Sequence, residues 1–106
     1  MNPKIKPILD ELREALALHY GERLAKLVLF GSQARGDAEA DSDIDVLVVL
    51  RGESKREDDG DVVLEKVAAI CLEHDVVIQW IVVPENRYGG NGDSLMRNVH
   101  RDGIAI

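Results

Sequence analysis

The chain has 106 residues, 45% of them hydrophobic, and a formal net charge of -7. This length predicts one domain, 1–106, and the hydrophobic fraction excludes a disordered protein. The acidic balance has the wrong sign for a protein that holds a nucleic-acid duplex by neutralising its phosphates. A small polyphosphate carried by a divalent metal stays compatible with this charge, because carboxylates can bind it through the cation.

The chain contains one cysteine, Cys71, which excludes an intramolecular disulfide and a cysteine-based zinc site. Residues 1–9 include two lysines but no apolar run of signal-peptide length. No stretch approaches the roughly 20 apolar residues that a membrane-spanning helix needs. We therefore expect a soluble, cytoplasmic protein that does not bind a membrane.

The first half of the chain predicts a helix followed by two buried strands. Apolar residues recur at helical spacing over 3–18, with charged residues between them. The continuous apolar run 27–30, which ends at a glycine, predicts a buried strand. After the polar segment 31–42, residues 43–50 predict a second strand, because polar and apolar residues first alternate and a fully apolar run then follows.

The second half predicts a further helix, strand and helix. The predicted elements are, in order, a solvated loop (51–61), a helix (62–72), a strand (76–83), a glycine-rich loop (88–92), a short helix (94–101) and an edge strand (104–106). Ser94 is predicted to cap the last helix, and Gly103 to end it. This order predicts an α/β (α+β) fold with a small mixed sheet covered on one face by helices.

Two short motifs carry the chemistry. Asp43 and Asp45 stand two residues apart at the start of a strand, so both carboxylates project from the same face and repel each other. A divalent cation, Mg²⁺ or Mn²⁺, relieves that repulsion because hard cations take carboxylate and phosphate oxygens together. Upstream, Gly31 lets the backbone approach a ligand, and Ser32 is predicted to cap a helical turn and point donors at an anion.

Each motif alone has an ordinary structural explanation. A Gly-Ser pair after a strand is usually only a turn, and a lone Asp-x-Asp is often a strand start. Their combination, with each joined to a buried strand, favours a triphosphate site beside a metal site. The charge of Arg35 fits either a phosphate or an ion pair with Asp37 or Asp41, and the sequence leaves both open.

The pattern resembles a known family. Phe30-Gly-Ser-Gln-Ala-Arg-Gly36 and Ser42-Asp-Ile-Asp-Val-Leu-Val-Val49 look like the signature of minimal nucleotidyltransferase domains, the smallest members of the DNA polymerase beta-like nucleotidyltransferase superfamily. The motifs cover about twenty residues, and the order of elements is similar over nearly the whole chain. The resemblance implies a helix-flanked mixed sheet, the fold of that superfamily.

The resemblance also implies roles and a partner. Gly31 and Ser32 would hold a nucleoside triphosphate, ATP, while Asp43 and Asp45 would bind magnesium. Such domains are commonly paired with a small helical HEPN protein, an RNase-type toxin, and the implied activity transfers AMP from ATP to a hydroxyl on that partner. The acidic surface suits a basic partner of this kind. A homo-oligomer also stays open.

One position departs from the family pattern. Active members carry a third carboxylate on a later strand, and in 76–83 the matching position is Gln79, which has no charge to offer a cation. Asp75 lies four residues earlier, about 13 Å along an extended strand. Two hypotheses follow: an active AMP transferase, or a nucleotide-binding module that neutralises its partner by binding alone.

Overall fold

The computed structural model describes residues 3–36, 43–52, 59–90 and 93–106. Five α-helices, one 3₁₀ turn (Gly21–Arg23) and four strands lie within these ranges. The helices are α1 (Lys6–Tyr20), α2 (Gly31–Arg35), α3 (Asp59–His74), α4 (Glu85–Tyr88) and α5 (Ser94–Asp102). The strands are β1 (Leu24–Phe30), β2 (Ile44–Leu50), β3 (Ile78–Pro84) and β4 (Ile104–Ala105).

The strands form one mixed sheet in the order β3-β2-β1-β4. Strand β1 pairs antiparallel with both β2 and β4, whereas β2 and β3 are parallel. In this register Asp45 of β2 lies between Phe30 of β1 and Gln79 of β3. The first motif therefore leaves β1 directly beside the acidic start of β2.

Helices α1 and α3 cover one face of the sheet. The repeated leucines of α1 place Leu9, Leu12 and Leu16 against that face, and Leu12 and Leu16 have no exposed surface. Their partners on β2 are the alternate residues, including Ile44 and Val46. This layer forms the larger hydrophobic core.

The opposite face has its own smaller core. Met96 and Val99 of α5 pack there with Leu47, Val49 and Val83 of the two parallel strands. The mixed sheet flanked by helices is thus confirmed, but the expectation that helices cover one face only is wrong. The sequence predicts the helix itself, but its apolar pattern does not tell which face of the sheet α5 covers, because that depends on how the chain folds back.

Several boundaries differ from the predicted ones. Helix α4 was not predicted and follows Pro84 directly, a residue whose extended backbone ends β3. Ser94 does not cap α5; instead the Asp93 carboxylate accepts a hydrogen bond from the Met96 amide at 2.8 Å. The predicted edge strand is confirmed as β4, which follows Gly103.

No helix in the described part of the chain combines the length and the apolar character needed to cross a membrane.

Candidate functional site

The two aspartates of the second motif flank a residue that is buried in the larger core. Ile44 is 1% exposed beneath α1 and α3, so strand alternation turns Asp45 to the other face. Asp45 is half-buried and Asp43, just before β2, is exposed. The pair therefore sits at the beginning of the central strand, where one carboxylate is partly withdrawn from water.

Gly31 brings the first motif into contact with this pair. It follows the last residue of β1 with a positive φ of 74°, a conformation that favours glycine. A Cβ built on Gly31 would lie 2.5 Å from Oδ2 of Asp45, closer than side chains tolerate. The absence of a side chain at Gly31 is thus what lets the Asp45 carboxylate lie against this turn.

Ser32 lies inside α2 and does not cap it. The helix begins at Gly31 after an extended Phe30, and no side chain caps it. Gly36 ends it with a left-handed backbone and donates its N–H to the Ser32 carbonyl at 3.0 Å. The capping prediction is wrong because the helix begins at Gly31, before Ser32, which places Ser32 in the first turn.

Arg35, at the end of α2, forms an ion pair that its sequence neighbourhood did not predict. Its Nη1 lies 3.6 Å from Oδ2 of Asp102 on α5. The two candidates considered from the sequence, Asp37 and Asp41, lie outside the described residues. The guanidinium is 43% exposed, and its charge also favours the ionised form of Asp45.

Gln79 lies beside the acidic pair. Its Nε2 donates a hydrogen bond of 2.8 Å to Oδ2 of Asp43, and its backbone is the register partner of Asp45. Asp75 lies in the turn after α3, with a φ of 53°, and so precedes β3. The structure thus brings Gln79 to the two aspartates, and it places Asp75 before the strand.

Burial perturbs the acidic pair. The partial desolvation of Asp45 is the main cause that raises the pKa of its carboxyl above the ordinary value, and the charge of Asp43 raises it further. Arg35 opposes this rise only in part. A second positive charge at this position would therefore be favourable.

The donor set fits a hard divalent cation. Asp43 and Asp45 supply carboxylate oxygens, and the Gln79 amide carries a carbonyl oxygen on the same side chain that now donates to Asp43. Mg²⁺ and Mn²⁺ both favour such oxygen donors and keep further positions for water and phosphate.

A second group of titratable side chains lies across the sheet from this pair. Nε2 of His74 lies 2.7 Å from Oε2 of Glu11, and Glu73 completes a cluster whose ligand atoms lie within 4.8 Å of one another. These residues join α1 to α3, and the sequence gave no signal for the contact because the helices are far apart in the chain. The hydrogen bond from His74 is the main cause that lowers the pKa of Glu11.

Comparisons with known proteins find relatives over most of the chain. Residues 9–100 match the family model described as nucleotidyltransferase domain. A relative in Methanocaldococcus jannaschii, named "Putative protein adenylyltransferase", is 36% identical over 99 residues, which are 92% of this chain and 93% of the relative. A second relative of that name and organism is 37% identical over 84 residues, and there the chain spans only 48% of the relative.

Solved structures show the same architecture. A structure described as "a putative nucleotidyltransferase from Sulfolobus solfataricus" superposes with a TM-score of 0.61 at 22% identity, covering 96% of this chain and 78% of the other. A structure described as "putative minimal nucleotidyltransferase" gives 0.61 at 24% identity, with 96% and 95% covered. A structure described as a toxin-antitoxin with AMP-PNP gives 0.60 at 18% identity, with 89% and 68% covered.

The solved structures first define the fold class, a small mixed sheet flanked by helices. The match over residues 9–100 then decides the family: the chain belongs to the nucleotidyltransferase domain family and is a nucleotidyltransferase. The resemblance found in the sequence is confirmed.

Proposed function

We propose that this protein transfers AMP from ATP to a hydroxyl on a partner protein, with a divalent cation, Mg²⁺ or Mn²⁺, at Asp43 and Asp45. The observation that carries the proposal is the contact between the two motifs. Gly31 leaves room for the Asp45 carboxylate, so a triphosphate at the Gly31 turn would lie next to the acidic pair. Relatives named as protein adenylyltransferases support the reaction class.

In this proposal some residues hold the metal ion and others hold the nucleotide. Asp43 and Asp45 would hold the cation, whose charge, when it is bound, neutralises the triphosphate and the leaving pyrophosphate. Gly31 lets the phosphates approach the backbone, and the Ser32 hydroxyl and the Arg35 guanidinium would donate to them. Because Arg35 pairs with Asp102, phosphate would compete for a charge that already has one partner.

The reaction balances without a further reagent. The acceptor oxygen forms a bond to the α-phosphorus of ATP, the bond from that phosphorus to the α,β-bridging oxygen breaks, and pyrophosphate leaves. The acceptor hydroxyl loses its proton to a base or to water. Gln79 is not such a base, because an amide does not accept a proton at neutral pH.

Gln79 therefore favours a second candidate, a module that binds nucleotide and silences its partner by contact alone. Its amide donates a hydrogen bond of 2.8 Å to Asp43, at the position where the family resemblance implies a third carboxylate. The Gln79 amide donates a hydrogen bond to the Asp43 carboxylate but adds no negative charge, and a second metal ion would need that charge. Nucleotide binding would then persist while transfer is slow.

The partner we propose is a small helical HEPN-type toxin. The solved toxin-antitoxin with AMP-PNP, which shares this fold at 18% identity, supports a nucleotide and a toxin as the two ligands. The charge of -7 favours a basic partner such as an RNA-cleaving protein.

Calorimetry with Mg-ATP tests the site. We expect the wild-type protein to bind and the double variant Asp43→Ala, Asp45→Ala to lose binding. The matched control is Asp75→Asn, which removes one exposed carboxylate from the turn before β3 and keeps a residue that tolerates a positive φ. Equal binding by wild type and double variant would refute the site, and loss of binding in the control would move the metal toward Asp75.

Transfer is tested by incubating the protein with ATP, magnesium and its co-purified partner, and then weighing the partner by mass spectrometry. An added AMP supports transfer, and silencing without added mass supports the binding module. Gln79→Asp restores a carboxylate at the third position and should raise transfer, whereas Gln79→Asn, which keeps an amide, should not. An inert Gln79→Asp variant would show that the third position lies elsewhere.

A further inference from the structure

Strand β3 is an open edge of the sheet. It pairs with β2 on one side, and no strand in the described ranges pairs with its other side. From residue 76 to residue 84 the chain carries no charged side chain. Exposed edges are usually protected by charges, bulges or prolines, and here Pro84 at the very end is the one such device among these residues. An uncharged open edge of this length is therefore suited to pairing with another strand.

Helix α3 presents an apolar flank beside that edge. Leu64, Ala68 and Leu72 follow one another at intervals of four and are all exposed, Leu72 at 84%. The other flank of α3 faces α1, since Glu73 and His74 contact Glu11 there. The apolar flank is thus turned away from α1, toward the side of the sheet where β3 lies.

The strand continues this apolar flank. Trp80 and Val82 point to the same face of the sheet as α3, because Trp80 packs against the larger core and Val82 follows it by two residues. Val82 is 40% exposed. We name the β3–α3 surface by its five residues, Leu64, Ala68, Leu72, Trp80 and Val82.

We propose that the β3–α3 surface binds a second copy of this chain, with the two β3 strands paired antiparallel about a twofold axis. Unpaired backbone N–H and C=O groups along an edge are satisfied by an extended strand and not by a helix. A twofold axis perpendicular to the sheet keeps both α3 helices on the same face. It therefore brings one apolar flank against the other, which makes the surface complementary to itself.

The charges of the molecule favour a second copy over a basic partner at this place. Two copies with a charge of -7 each repel, and they approach best along a strand without charged side chains, as residues 76–84 are. A basic partner is drawn instead to acidic parts of the surface. Asp43 and Asp45 lie on the opposite face of the sheet from α3, so the proposed dimer leaves the proposed nucleotide site accessible.

Sedimentation velocity over a range of protein concentrations tests the proposal. We expect a wild-type dimer, and we expect Leu72→Glu to raise its dissociation constant by about tenfold or more, because two charges then face each other across an apolar contact. Val82→Lys, which adds a charge to the edge itself, should act in the same direction. The control is Leu18→Glu, since Leu18 is 76% exposed on α1 and lies outside the β3–α3 surface.

Each outcome decides the question. Circular dichroism is expected to show unchanged folding for Leu72→Glu, because that side chain is already exposed. Hydrogen exchange at the outer amides of β3 should slow as the concentration of wild-type protein rises. A wild-type monomer at every concentration overturns the proposal, as does a dimer that Leu18→Glu disrupts as strongly as Leu72→Glu. A monomer whose Leu72→Glu variant loses only its toxin partner assigns the surface to that partner instead.

Discussion

Replacing Gly31 by alanine should perturb both stability and the acidic pair, and Gly36 provides the matched control. Both glycines have positive φ, 74° and 82°, but a Cβ on Gly36 would meet nothing within 4 Å. Gly36→Ala should therefore show the backbone penalty alone, about 1–2 kcal/mol. In a domain of this size that penalty lowers the melting temperature by roughly 4–16 °C.

Gly31→Ala adds a collision to the same backbone penalty. Its Cβ would lie 2.5 Å from the Asp45 carboxylate, whereas ordinary contacts begin at 3.4 Å, so the oxygen must move by about 0.9 Å. The colliding atom is the end of a half-buried side chain, so the carboxylate can turn aside at a cost of about 0.5–1.5 kcal/mol. We expect a total loss of about 1.5–3.5 kcal/mol in urea unfolding, together with weaker binding of Mg-ATP, because Asp45 is displaced.

A double-mutant cycle separates the two contributions. Asp45→Ala removes the colliding oxygen and leaves a Cβ at 3.6 Å, which is an ordinary contact. In that background Gly31→Ala should destabilise the protein no more than Gly36→Ala does. If Gly31→Ala is equally destabilising with and without the Asp45 carboxylate, the steric link between the two motifs does not exist.

Three further predictions concern stability. Asp45→Asn should be more stable than wild type at pH 7 but equal to it in acid, as thermal melts at both pH values would show. The reason is that folding raises the pKa of Asp45, so the wild-type protein loses stability as the pH rises through that pKa and the carboxyl ionises. Leu12→Ala, at a site with no exposed surface, should lose about 2–5 kcal/mol in urea unfolding, and a smaller loss would mean that α1 packs loosely. Asp93→Ala should melt at a lower temperature than wild type at pH 7, and this difference in melting temperature should close below pH 3.8, because the hydrogen bond from the Met96 amide lowers the pKa of Asp93. A difference that does not depend on pH would contradict the role of Asp93 as the cap.

Most of the fold could be predicted from patterns among neighbouring residues. The periodicity of α1 and the apolar run of β2 depend on neighbouring residues alone, so both elements could be predicted to within a few residues. Strand β1 begins at Leu24, earlier than predicted, because Lys26 interrupts the apolar run with an exposed side chain. Helix α4 was missed because its four residues are too few to show a period.

In the candidate site, too, contacts that depend on local patterns could be predicted and contacts between distant segments could not. Strand alternation was enough to predict that Asp43 and Asp45 share a face, and parity along β3 identified Gln79 as the facing residue. The ion pair between Arg35 and Asp102 depends on how α5 folds back over the sheet. Such a contact between distant segments has no local signature, so the sequence could not show it.

The exposure of Gln79 has an evolutionary consequence. The side chain is exposed and packs into neither core, so an exchange at this position leaves the packing of the fold unchanged. Its effect falls on the acidic pair, because a carboxylate would lose the hydrogen bond to Asp43 and repel both aspartates until a cation binds. A lineage can drift between an amide and a carboxylate here by a single substitution, and lose or recover a catalytic group while the rest of the protein stays the same.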